Sequence, residues 1–375
     1  MTGIDILLVR ISVNNKVGTN SQTSFYHDEP FFGLDIGHSS MKVMQLDKNH
    51  GHSPRVLGYG VSNYYHNEAI NNGVIVDFAA LGKAMRELFK ERLVGTINTR
   101  RVACTIPTAH TFSRPMILPP MDKKKIQEAV KLEAEQYIPV PIDNLYLDYD
   151  ISRQDKDGID LLMVATPKNV VDSCVNFLES VGLEPVTMEP TMNASARLFS
   201  IADVRREEAS ILIDFGSVAI DVAIFDQAMF VNSTIQGGSD TLTNMIAQQL
   251  GISPAEAYVL KSQHGIAADS SMPSVGLAAR PILESLLKEL HRIIRYYDER
   301  SATRHRKISQ IITTGGGATT HGLDKYLTAE LKLPTRRLDP WRHINFGDLQ
   351  PPSDLARSMY ITVAGVAILR PEEIF

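Results

Sequence analysis

ILIDFGSVAIDVAIF, residues Ile211 to Phe225, is the stretch on which the reading of this fold turns. Two apolar runs rich in β-branched residues flank Asp214-Phe215-Gly216-Ser217, the pattern of strand, tight turn and strand. Gly216 accommodates positive φ, so the turn can aim backbone N–H groups at an oxyanion. Asp214, at the end of a buried strand, calls for a cation nearby, such as a hydrated metal. Taken alone, the same residues also suit a plain hairpin whose aspartate makes an Asx-turn.

A second copy of the pattern decides between these. FFGLDIGHSSMKVMQL, Phe31 to Leu46, runs apolar strand, Asp-x-Gly, short turn and apolar strand. Overlaying Asp35-Ile36-Gly37 on Asp214-Phe215-Gly216 places Lys42 over Asp221. Two such hairpins in separate halves of one chain point to a duplicated α/β domain. Facing each other across a cleft, they would clamp a polyphosphate–metal complex from both sides.

A third stretch joins them: ISQIITTGGGATTHGLDKYL, Ile308 to Leu327, in which a short strand runs into Gly315, Gly316 and Gly317. Absent side chains let a flat ligand lie on the backbone, and a helix N-terminus following them favours negative charge. Neither a P-loop nor G-x-G-x-x-G spacing occurs here. In this order the trio resembles the phosphate-1, phosphate-2 and adenosine motifs of the actin-like ATPase superfamily. The resemblance implies ATP or ADP with Mg²⁺. Gly37, His38, Ser39, Ser40, Gly216 and Ser217 would cradle phosphates, with Lys42 as a point charge beside them. Asp35 and Asp214 would hold the metal through waters. Gly237 and Gly238 resemble the family's double glycine, and Gly315, Gly316, Gly317 and Ala318 its adenosine loop. Glu256 and Lys261 match an E-A-x-x-x-K helix that reaches the nucleoside sugar. His38 stands where the family usually has serine, so the cradle there rests on the backbone.

Composition narrows the class. At 375 residues two or more domains are expected. A formal net charge of −5 argues against a dedicated nucleic-acid binder. The basic run around Arg300 and Arg304 to Lys307 reads as a solvated loop. Cys104 and Cys174 each lie in an apolar run and read as buried, reduced thiols rather than a disulfide framework or zinc site. No apolar run approaches the length of a crossing helix, so any membrane association is expected to depend on a partner.

Residues 1–29 read as a flexible leader, with Ile4 to Val13 as an apolar run that can serve as an added edge strand or docking arm. From 30 to 110, completed by 190–210 and 350–375, the first lobe follows: the Asp35 hairpin, a strand near Val56–Val61, a helix over Phe78–Leu93, and the strand Arg101–Pro107. Its Thr105-Ile106-Pro107 ending resembles a cleft-lining step of the superfamily. Residues 111–189 have their own rhythm: a strand Phe112–Leu118, a helix Lys123–Ile138, two strands, and a helix capped by Asn169 and ended by Gly182. This β-α-β-β-α unit of SHS2 type resembles the inserted subdomain 1C of FtsA and of the PilM family of type IV pilus assembly proteins. The second lobe spans 211–349, with a smaller subdomain at about 240–306. There Ser253 and Pro254 open one helix and Pro281 another that runs to Arg300. A last helix is expected over Asp354–Leu369.

Only Pro371 to Phe375 follow that helix, acidic and short, where FtsA proteins carry a basic amphipathic membrane helix. The opening F-F-G-L-D-I-G-x-S-S-x-K-V also looks like the PilM family. That resemblance implies an ATP-binding actin-like scaffold with at most weak ATPase activity. It would lie on the cytoplasmic face of the inner membrane and hold the N-terminal tail of PilN between the insert and the first lobe, next to other pilus platform proteins. The alternatives are an FtsA-like filament-forming division protein and a true ATPase or phosphotransferase of the sugar-kinase or Hsp70 type. The latter needs a positioned carboxylate or Gln base, and the sequence offers no residue for that role.

Overall fold

The computed structural model describes residues 11–12, 30–48, 53–64, 69–203, 208–266, 272–300 and 306–370. The chain divides into two units, residues 1–201 with 340–351 and 362–375, and residues 202–339 with 352–361.

The first unit is built on a seven-stranded sheet. Its strands are β1 (Ile11–Ser12), β2 (Phe32–Ile36), β3 (Ser40–Asp47) and β4 (Arg55–Asn63), then, after a small β5–β6 hairpin (Ile70–Asn71, Val74–Ile75), β7 (Leu93–Gly95), β8 (Arg101–Ile106) and β12 (Glu184–Pro190). The order is β1-β12-β8-β2-β3-β4-β7, with β2, β8 and β12 parallel and the other neighbours antiparallel. β1 therefore turns two residues of the expected leader into an edge strand; residues 1–10 and 13–29 lie outside the described residues. Helix α1 (Phe78–Glu87) is shorter than its periodicity predicts, because Leu88–Arg92 close in a π-turn that feeds β7.

Between β8 and β12 lies the insert. β9 (Phe112–Leu118), β10 (Leu145–Asp155) and β11 (Gly158–Pro167) form an antiparallel sheet in the order β10-β11-β9. Helix α2 (Lys123–Tyr137) buries Ile126, Val130 and Ala134 against Met116, Ile159, Leu161 and Met163. Asp122 caps α2 by accepting from the Lys125 N–H at 2.9 Å, which offsets the three lysines of its first turn. The insert ends at Pro167, earlier than residue 189. Helix α3 (Lys168–Ser180) buries Val170, Val171, Cys174, Phe177 and Leu178 in the core of the main sheet, and β12 joins that sheet as a strand. Cys174 lies 3.8 Å from Cys104 of β8, thiol to thiol, both buried and free. The hydrogen bond shared with Cys174, with burial, pushes the Cys104 thiol well up. Pro167 rather than Asn169 precedes α3, because Asn169 falls inside the first turn. Helix α4 (Thr191–Ala202) and the helix Ile361–Ala367 complete the unit. Gly33 and Gly365 allow backbone contact there; a Cβ at Gly365 would sit 2.0 Å from the Ala194 carbonyl oxygen.

The second unit repeats the arrangement. β13 (Ala209–Phe215), β14 (Ala219–Asp226), β15 (Ala228–Gln236), β16 (Ile308–Thr314) and β17 (Thr335–Arg337) are ordered β15-β14-β13-β16-β17. That matches β4-β3-β2-β8-β12 strand for strand, antiparallel hairpins first and parallel strands after. Helices α5 (Ser239–Leu250), α6 (Pro254–His264), α7 (Pro273–Arg300) and α8 (Leu323–Leu331) cover it. α7 starts eight residues before Pro281, the expected opening, and takes that proline into its interior. Burial of Val275, Ala278 and Ala279 outweighs the lost backbone hydrogen bond. The last expected helix breaks into Asp354–Arg357, a 3₁₀ turn over Ser358–Tyr360, and Ile361–Ala367. Part of the basic run, residues 301–305, and the ending 371–375 lie outside the described residues.

Candidate functional site

In each unit the Asp-x-Gly turn sits where the first β-hairpin meets the first parallel strand. In the first unit Asp35 and Lys42 are direct cross-strand partners. Lys42 Nζ donates to Asp35 Oδ2 at 2.9 Å, and Thr105 Oγ1 of β8 donates to Asp35 Oδ1 at 2.8 Å. All three residues are buried. The turn beyond is closed by the Gly37 N–H donating to the Ser40 carbonyl at 2.9 Å. Lys42 Nζ lies 3.7 Å from where a Gly37 side chain would begin, at the floor of the turn. Asp35, Gly37, Ser40 and Lys42 are thus brought together, with His38 and Ser39 half-buried at the tip. Tyr64 braces the turn: its N–H donates to the Ser39 carbonyl at 3.0 Å and its hydroxyl to the Gly37 carbonyl. Burial, then the Asp35 charge, pushes the Tyr64 hydroxyl pKa up. Tyr64 lies after the run read as a strand and has no pattern of its own, so the sequence reading passed it over.

The second unit places different chemistry at the same positions. Asp214 faces Asp221 across the hairpin, in the register that pairs Asp35 with Lys42. Asp221 is packed around by protein, while the residue keeps a partial opening to solvent. Burial pushes its pKa up to about 7; the Thr234 hydroxyl, which donates to it, works against this, and the Asp214 charge adds to it. Thr314 pairs with Asp214 from β16, much as Thr105 adjoins Asp35, but its buried hydroxyl has no hydrogen-bond partner among the described residues.

Two glycine segments converge on this hairpin. Ser239 N–H donates to the Gly216 carbonyl at 2.9 Å, and Asp240 N–H to the Ser217 carbonyl at 2.8 Å. A Cβ at Gly238 would stand 2.5 Å from the Gly216 carbonyl oxygen, one at Gly315 2.3 Å from Asp214 Oδ1, and one at Gly317 2.2 Å from the Phe215 ring. Only glycine permits this closeness. Gly315 also has φ +84°, where a Cβ is strained. At Gly316 no atom stands within 4 Å of a built Cβ, so its face is open for a ligand. Ala318 is buried in a 3₁₀ turn, Gly316–Thr319; α8 begins only at Leu323, so a single tight turn rather than a helix start follows the glycines. Gly237, at φ +106°, leads into Gly238, which opens α5.

Lys261 joins the cluster through α5. Its Nζ donates to the Ser239 carbonyl at 2.9 Å, to Ser239 Oγ at 2.7 Å and to Thr243 Oγ1 at 2.8 Å. Burial lowers its pKa to about 8, opposed by the Asp240 charge. Glu256 is placed by the opening of α6: it accepts from the Ser253 N–H at 2.9 Å in a capping box.

A separate pocket of about 570 Å³ lies in the first unit where the insert joins the sheet. Both connecting segments line it, Ala109 to Phe112 on the way in and Pro167 to Val170 on the way out, with Asn72, Val140 and Asn144. Burial lowers the His110 pKa; its ring packs on Gly73, where a Cβ would come within 2.5 Å. Ile126, on the helix of the insert, is spent on the insert's own core.

The profile of the family described as type IV pilus assembly protein PilM matches residues 33–370. The chain belongs to this family. Among solved structures, a PilM–PilN type IV pilus biogenesis complex is similar at TM-score 0.78 and 21% identity, over 92% of this chain and 99% of that one. The ethanolamine utilization protein EutJ from Carboxydothermus hydrogenoformans follows at TM-score 0.53 and 15% identity, over 91% and 90%. MreB5 of Spiroplasma citri bound to AMPPNP matches at 0.50 and 15%, over 91% and 96%. At such identities the likeness shows the fold, that of the actin-like ATPases. Membership in the PilM family makes the chain a pilus assembly protein of actin-like fold, and neither the division-filament nor the phosphotransferase reading is favoured. Among the described residues no helix is long and apolar enough to cross a membrane.

Proposed function

We propose that this PilM-family protein is a nucleotide-loaded scaffold that captures the N-terminal tail of a PilN-like membrane protein. The observation that carries the reading is the pocket formed by both connections of the insert, beside a sheet with a short edge strand. An extended tail fits such a place, its side chains entering the pocket and its backbone pairing along an edge. The tail would hold the protein at the cytoplasmic face of the inner membrane, where other platform proteins assemble. A synthetic PilN-like tail peptide is expected to bind with micromolar affinity. Phe112→Asp, which puts a charge in the pocket wall, is expected to weaken it by at least about tenfold, or 1.4 kcal/mol. Unchanged peptide affinity in this variant, measured by fluorescence anisotropy, would place the interface elsewhere.

The nucleotide half of the reading rests on the converging glycine turns and the orphaned Thr314 hydroxyl. ATP or ADP with Mg²⁺ suits them: a hydrated Mg²⁺ needs one or two carboxylates with phosphate oxygens, and Asp214 would hold it through waters, as would Asp35, whose oxygens accept from Lys42 and Thr105. Bound Mg²⁺ would supply positive charge to the phosphates and to the acidic hairpin. Gly37 to Ser40, Gly216 and Ser217 would present N–H groups to phosphates, and Asp35 would orient Lys42. Gly237, Gly238 and Gly315 to Ala318 would leave room for the nucleoside, with Lys261 positioning the start of α5. Glu256 would reach the sugar only by leaving its capping box. Asp214→Ala is expected to lower Mg·ATP affinity strongly with a small change in apo stability. Calorimetry giving unchanged ATP affinity in both Asp35→Ala and Asp214→Ala would sink this assignment.

A further inference from the structure

We infer that the junction pocket reads a side-chain carboxylate of the incoming tail, and that Lys168 is the residue that recognises it. The inference rests on the reading of that pocket as the tail's site, and it names the chemistry the tail must carry. The lining divides by kind. Phe112, Val140 and Val170 supply apolar surface. Three amides reach the same cavity from separate segments: Asn72 from the β5–β6 turn, Asn144 from the residue before β10, and Asn169 from the first turn of α3. Among the described residues that line the pocket, Lys168 is the one lysine or arginine, and none is an aspartate or glutamate.

Lys168 is half-buried, and among the described residues no carboxylate forms an ion pair with it. Its Nζ stands 5.6 Å from the centre of the Tyr146 ring. Asp172, one turn further along α3, accepts instead from the Tyr146 hydroxyl at 2.9 Å. Lys168 also opens a helix whose N-cap is Pro167, with no side-chain cap and no acidic residue in the first turn. Positive charge there opposes the helix dipole, and an anion in the adjoining cavity relieves that cost. The donors decide which anion-bearing group fits. An ammonium offers three donors and no acceptor, whereas an amide donates or accepts as its partner requires. A neutral amide from the tail would bring Lys168 an acceptor but no countercharge. A carboxylate brings both, and the asparagines can all turn their N–H groups to it. With apolar walls on either side, the tail is read as an acidic residue flanked by apolar ones.

The test uses the full chain and two labelled probes, the PilN-like tail peptide and a copy in which every Asp is Asn and every Glu is Gln. By fluorescence anisotropy the unaltered chain is expected to bind the acidic tail roughly tenfold more tightly than the amide copy. Lys168→Met should remove that preference by weakening the acidic tail alone, and Lys168→Arg should keep it. Equal affinity of the unaltered chain for the two probes overturns the inference, as does a preference that survives Lys168→Met. Two tripeptides, acetyl-Leu-Glu-Leu-amide and acetyl-Leu-Gln-Leu-amide, followed by NMR through the His110 ring signals, separate this from the parent reading. If both tails bind alike and Phe112→Asp weakens both, the inference fails and the partner reading stands. If neither tail binds, yet the Glu tripeptide shifts the His110 signals and the Gln one does not, the partner reading fails alone. If neither tail binds and the tripeptides do not differ, both fail.

Discussion

Lys42→Met is expected to lower the stability of the nucleotide-free protein by about 3 kcal/mol, because it leaves the Asp35 carboxylate buried with one hydroxyl donor. The pair is deeply enclosed, with side chains 10% and 9% exposed. Removing one partner of such a pair costs more than the pair itself contributes, since the charge left behind has lost both water and counter-ion. Asp35→Asn should cost a comparable amount by stranding the ammonium. The double variant Asp35→Asn/Lys42→Met should recover much of the loss, since no buried charge remains. Urea unfolding of the three variants checks this. A Lys42→Met protein within about 0.5 kcal/mol of the parent would mean that water reaches Asp35 in solution.

The second large effect is in pH dependence, and it lies in the other unit. Asp221 has a folded-state pKa raised from 3.8 to about 7. Below the unfolded value both states hold the proton, and burial of the neutral acid carries no charge penalty. Between about pH 4 and 7 the unfolded chain ionises while the folded one stays protonated, so this group makes stability fall as pH rises. Above about 7 the full penalty is present. Asp221→Asn is therefore expected to be near neutral at pH 4 and to stabilise the metal-free protein by roughly 3 kcal/mol at pH 8. Chemical unfolding at the two pH values measures it. A stability difference between variant and parent that does not grow with pH would show that Asp221 ionises freely in the fold.

Much of this site could be read from residues alone, because its signals are local. Asp-x-Gly between apolar runs specifies a turn chemistry, and the overlay of Lys42 on Asp221 became visible once both hairpins were aligned on their glycines. The pairing of Asp35 with Lys42 and of Asp214 with Asp221 then follows from two-residue alternation and the turn length. What stayed hidden depends on partners distant in sequence. α3 and β12 have the periodicity of a helix and a strand wherever they pack, so nothing local assigned them to the main sheet rather than to the insert. Pro281 reads as a helix start from propensity and becomes a helix interior because buried neighbours on both sides outweigh it. Tyr64, His110 and the pocket walls have no motif; chain crossings bring them together.

The two segments joining the insert to the sheet also line one pocket. Mechanically, the insert is moored to the sheet by two strips of chain, and the pocket lies at the moorings. An occupant held there would bear on both connections at once, as well as adding contacts. Filling a small volume would thereby stiffen the attachment of a whole subdomain.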